Sequence, residues 1–88
     1  MHQVIEIQIL GDVDNPDYRV WLKFEDGEEK VVDFYPFIGK GFTKNLLEFD
    51  EFKKIFIEPG GGVAWPNGFD FCPNYLKELK SLNSLNVK

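Results

Sequence analysis

A chain of 88 residues holds one domain, large enough to bury a single core and too small for a deep cleft between two. Its 15 acidic and 10 basic side chains leave a net charge of −5, with Arg19 the only arginine, which argues against a phosphate-neutralising patch and so against direct nucleic-acid binding. Cys72 is the single cysteine, so no internal disulfide or zinc knuckle forms and a reducing compartment fits. No charged and apolar leader opens the chain, and no apolar run approaches the roughly 20 residues that span a bilayer, so the expectation is cytoplasmic with no membrane partner.

Val4, Ile5, Ile7, Ile9 and Leu10, interrupted by Glu6 and Gln8, predict a first strand, and the polar cluster at 11–16 turns the chain. Tyr18, Val20, Leu22 and Phe24 alternate with Arg19, Trp21 and Lys23, which predicts a second strand with a core row and a wetter row. Trp21 is the large apolar side chain on the wetter row. Glu25-Asp26-Gly27 then leads into a third strand at 30–35. A two-residue loop would set Val20 against Asp33 and mix the faces. A three-residue loop pairs Val20 with Val32 and Tyr18 with Phe34, and puts Gly27 in the left-handed position of a bulged type I turn.

Residues 36–41 break the pattern. From 42 to 54, Leu46, Phe49 and Phe52 recur at every third position, predicting one or two helical turns capped by Asp50. Ile55, Phe56 and Ile57 form a brief strand, and Pro59-Gly60-Gly61-Gly62 carries the chain into a hairpin over 63–71. There Trp65 and Phe69 flank Pro66-Asn67-Gly68: proline pre-sets one turn dihedral and Gly68 takes the positive one, so Gly68 should tolerate valine less well than Gly11. Cys72 and Pro73 start a final helix lined by Tyr75, Leu76, Leu79 and Leu82, with 81–88 as a frayed tail. Nine phenylalanines, three tyrosines and two tryptophans fill a core that needs no cofactor. The expectation is a single α+β domain over 1–88 with its core at 4–80, a small antiparallel sheet of hairpins with one short middle helix and one C-terminal helix.

Groups able to do chemistry are few. His2 lies near one end and Ser81 and Ser84 near the other, so no Cys-His or Ser-His pair assembles on a rigid scaffold and no catalytic residue is assigned. Cys72 reads as a small residue at a strand-to-helix junction, with a reactive thiol as the sharper reading. Asp33 and Asp70 each lie in a strand among bulky apolar neighbours; such acids more often point outward or accept from turn amides than act as general acids. One histidine and no calcium loop leave no defined metal site. Neither Gly39-Lys40-Gly41 nor the triple glycine has phosphate-loop spacing, and the latter reads as a reversal or a close backbone approach. Trp65, beside a turn, reads as core. Trp21, with Arg19 and Lys23 on its face, is the candidate partner surface, because large rigid side chains give contact area at low entropic cost.

In combination, Tyr18-x-x-x-Leu22-x-Phe24-x-Asp26-Gly27, Val32-Asp33-Phe34, Pro59-Gly60-Gly61-Gly62, Trp65-Pro66-Asn67-Gly68-x-Asp70 and Pro73-x-x-Leu76 resemble the bacterial family called domain of unknown function 2442. The resemblance covers residues 4–80 and implies a small α+β domain with no established activity, often encoded beside another small protein in what looks like a toxin and antitoxin arrangement. Some members carry a helix-turn-helix region after this domain; with about eight residues following the last predicted helix, that extension is not expected here. Asp33, Trp65, Asn67, Gly68, Asp70 and Pro73 match the pattern with no role attached. The expected function is therefore a non-enzymatic protein-interaction module whose partner is a small basic protein encoded nearby, with self-association left open. The alternative is a small-ligand or minor catalytic site around Asp33, Trp65, Asp70 and Cys72.

Overall fold

The computed structural model of the chain describes residues 3–79. A first antiparallel sheet, in the order β1-β2-β3, consists of β1 (Val4–Ile9), β2 (Arg19–Phe24) and β3 (Glu29–Asp33). Because side chains alternate across a strand, Val20, Leu22 and Phe24 share one face and are 0% exposed, while Arg19, Trp21 and Lys23 share the other. The hairpin register is the one that the faces demand: Val20 pairs with Val32, and the Phe34 N–H donates to the Tyr18 carbonyl at 2.9 Å. One extra residue bulges β1 between Val4 and Glu6 and leaves Ile5 exposed.

The middle of the chain is tighter than an α-helix. Two 3₁₀ segments, Tyr35–Phe37 and Gly41–Leu47, precede the single turn of α1 (Phe49–Phe52), and the buried Leu46, Phe49 and Phe52 fall at every third position across the junction of the second segment with α1. Asp50 does not cap this helix. Glu48 holds the N-cap position, and Asp50 lies within the first turn, where its carboxylate pairs with Lys53 at 3.4 Å.

The later hairpin forms a second antiparallel sheet, β4-β5-β6, from β4 (Phe56–Ile57), β5 (Val63–Ala64) and β6 (Asp70–Phe71). The turn closes as its sequence directs: Gly68 has φ 97°, its N–H donates to Trp65 O at 2.9 Å, and Trp65 N–H donates to Phe69 O at 2.9 Å. The two sheets touch at the triple glycine, where the Val4 N–H donates to Gly61 O at 2.8 Å. A Cβ at Gly62 would fall 2.0 Å from Phe71 O, so that position requires glycine.

α2 (Pro73–Glu78) follows with Cys72 as its N-cap and buries Leu76. Leu82, the expected frayed tail at 81–88 and His2 lie outside the described residues. Side chains from both sheets and the helices meet in one core centred on Phe34, whose ring lies 5.0 Å from Phe71, 5.5 Å from Trp65 and 6.4 Å from Phe52. Each such fully buried side chain contributes about 1.5–3 kcal/mol relative to exposure.

Candidate functional site

The outward face of the first sheet is built from rows that cross three strands. Register places Glu6, Lys23 and Glu29 in one row, Gln8, Trp21 and Val31 in the next, and Arg19 beside Asp33 in a third. Trp21 is half-buried and its indole Nε1–H donates to the Glu29 carboxylate at 3.3 Å. Between Trp21 and the outward side chains of β1 lies an open depression of about 390 Å³ lined by Glu6, Gln8, Leu10, Trp21 and Val31. Leu10 is 42% exposed and supplies its apolar end.

The other two expected surface residues flank this feature. Arg19 grips Asp17, with Nε at 2.9 Å from Oδ1 and Nη2 at 2.6 Å from Oδ2, and that pairing holds the Asp17 carboxyl below its ordinary pKa. Lys23, half-buried, forms no ion pair among the described residues. Trp21, Arg19 and Lys23 thus share a face, with Trp21 alone on the depression.

The second group of sequence candidates is differently disposed. Trp65 is 1% exposed, its indole N–H donates to Phe52 O at 2.8 Å, and its ring stacks on Phe69 at 5.6 Å. Asp33 ends β3, where its carboxylate accepts from the Tyr35 N–H at 3.0 Å. Asp70 is exposed on β6 and Cys72 is exposed at the start of α2. Asn67 works as a brace: its Nδ2 donates to Phe42 O at 3.2 Å and Asn45 Oδ1 at 3.1 Å, while its own Oδ1 accepts from Phe69 N–H at 3.0 Å. Pro73 opens α2 and Gly68 shapes the turn, so both serve the backbone.

Lys30 is the residue that reading the chain missed. It is 3% exposed on the core face of β3, and its ammonium donates to Leu76 O at 3.1 Å, Lys77 O at 2.7 Å and Leu79 O at 2.6 Å, binding the carboxyl end of α2 to the sheet. Burial pushes its pKa down. The signal was in the register, since pairing Val20 with Val32 also sets Lys30 opposite Leu22 in the core row. Lys77 reinforces the same junction through Asp26 at 2.8 Å and through Glu28, with its Nζ 4.9 Å from the Phe24 ring centre.

Among the described residues, no cluster of three or more His, Cys, Asp or Glu could hold a metal ion, and no helix is long and apolar enough to cross a membrane. These features define a small α+β domain of two three-stranded antiparallel sheets, with Trp21 beside an open depression on the outer face of the first. The chain belongs to the family described as protein of unknown function DUF2442, whose model matches residues 13–80. No curated protein and no solved structure matches it.

Proposed function

We propose that this domain is a non-enzymatic protein-interaction module, and that its partner is a small basic protein encoded nearby, with this chain as the antitoxin-like half of a bacterial, cytoplasmic pair. The observation that carries the reading is Trp21: a half-buried tryptophan on the solvent side of a sheet, beside an open depression and bordered by Glu6 and Glu29. Large aromatics at the centre of such patches are the side chains that most often dominate binding energy. The net charge of −5 favours encounter with a basic surface, and salt should screen that attraction.

A small-ligand or catalytic site around Asp33, Trp65, Asp70 and Cys72 has less support, because the Trp65 ring is enclosed and its N–H is already bonded. The test is calorimetric binding of the neighbouring gene's product to the wild-type chain and to Trp21→Ala, at low and high salt. Truncating a central tryptophan should weaken the complex by about 2 kcal/mol or more. An undetectable complex with the wild type would sink the interaction reading. Binding that ignores both Trp21 and salt would leave a partner but remove this face.

A further inference from the structure

The lining of the Trp21 depression is ordered by chemistry. Glu6 and Gln8 point outward from alternate positions of β1 and Leu10 follows just past its end, so a carboxylate, an amide and an apolar side chain succeed one another along one wall, the first two roughly 6.6 Å apart. Trp21 and Val31 complete the site. An aliphatic stem ending in a planar cation has the complementary order.

Two electrostatic details favour a cation. Glu6 forms no ion pair among the described residues, although Lys23 is its register partner on β2. Glu29 accepts the Trp21 indole N–H, and a carboxylate at that proton enriches the ring's π face, where cations bind. Guanidinium fits better than ammonium, because its plane can stack on an indole while its N–H fork engages a carboxylate and an amide oxygen together.

Resting on the interaction reading above, we infer that the depression seats an arginine side chain of the basic partner, its guanidinium between the Trp21 ring and Glu6 and its stem toward Leu10. Leu10, 42% exposed, gives the stem apolar surface to cover.

The probe is the peptide acetyl-Gly-Arg-Gly-amide, compared with its citrulline counterpart, a neutral isostere of arginine. Each is titrated into the ¹⁵N-labelled chain while the indole N–H signal of Trp21 is followed; Trp21→Phe identifies that signal against Trp65. The arginine peptide should shift it saturably and bind about five-fold tighter than citrulline, and Glu6→Gln should remove that preference. Equal affinity for the two peptides, an unchanged preference in Glu6→Gln, or no saturable shift at millimolar peptide would overturn the assignment. If the protein partner still depends on Trp21 while the peptides are not distinguished, the interface stands and the arginine pocket falls. If the peptides are distinguished but the neighbouring product does not bind, the pocket stands and the proposed partner falls.

Discussion

An ammonium group in a core is tolerable only when its hydrogens are bonded, and Lys30 meets that condition through the last carbonyls of α2. Lys30→Met fills similar space but strands those carbonyls, so urea unfolding should show a loss of about 1–3 kcal/mol. A stability equal to wild type would mean that solvent or a shifted helix end satisfies them. Cys72 offers the opposite case, exposed at the N-cap with no side-chain hydrogen bond. Cys72→Ser should leave the fold intact and add up to about 1 kcal/mol through a hydroxyl cap; a destabilised variant would show that the thiol packs against something essential. At the glycines, space reverses what the turn sequence implies. Gly68 has φ 97° but open surroundings, whereas a Cβ on Gly11 would lie 2.5 Å from Asp17 N and 2.8 Å from Asn15 O. Gly68→Val then carries local strain of about 1–2 kcal/mol, while Gly11→Val must move backbone. The Gly11 variant should have the lower denaturation midpoint, contrary to the ranking drawn from turn chemistry alone.

Two hairpins were legible from local signals: alternation set the faces and register of the first, as Val20 against Val32 confirms, and Pro66-Asn67-Gly68 marked the turn of the other, in which Val63 pairs with Phe71. Their division into two sheets was not legible. The close approach of Gly62 to Phe71 is of the kind the triple glycine implied, but the seam between the sheets rests on Val4 meeting Gly61, a contact between residues distant in sequence that no window of the chain reports. In the middle segment the three-residue repeat was visible, but it runs from a 3₁₀ segment ending at Leu47 into the α-helical turn of α1, whose N-cap is Glu48 rather than Asp50. Asn67 links these elements, since its amide joins the hairpin turn to the second 3₁₀ segment. Asn67→Ala should therefore cost about 1 kcal/mol and increase amide exchange at 41–47 more than in the first sheet. Uniform loss of protection across both regions would show instead that the turn governs global stability.

At the scale of the whole molecule, the candidate surface was only half visible beforehand. Alternation put Trp21 on the wetter row, but its depression needs Glu6 and Gln8 from a strand whose register with β2 is shifted by a bulge, and Leu10 from just past that strand's end. The junction of sheet and α2 was hidden because Lys30 contradicts the polar-outside rule, and it gives the fold a pH dependence. Tyr18 is raised above its ordinary 10.0 by burial and by the nearby Tyr35 and Glu48, and Lys77 above its ordinary 10.5 by hydrogen bonds to Asp26 and Glu28. For both, the folded state keeps its proton longer than the unfolded chain, so their stabilisation is complete below the unfolded value and is lost as pH rises past it. Lys30 has the opposite sign: burial lowers it below 10.5, the unfolded chain holds the proton longer, and stability rises with pH between the folded and unfolded values. Wild type should therefore lose stability above about pH 10. Lys30→Met, lacking the opposing contribution, should slope downward more steeply just below the unfolded lysine value. Urea midpoints of both proteins measured from neutral pH into this range test the balance, and parallel curves would show that Lys30 remains charged at no cost in the folded core.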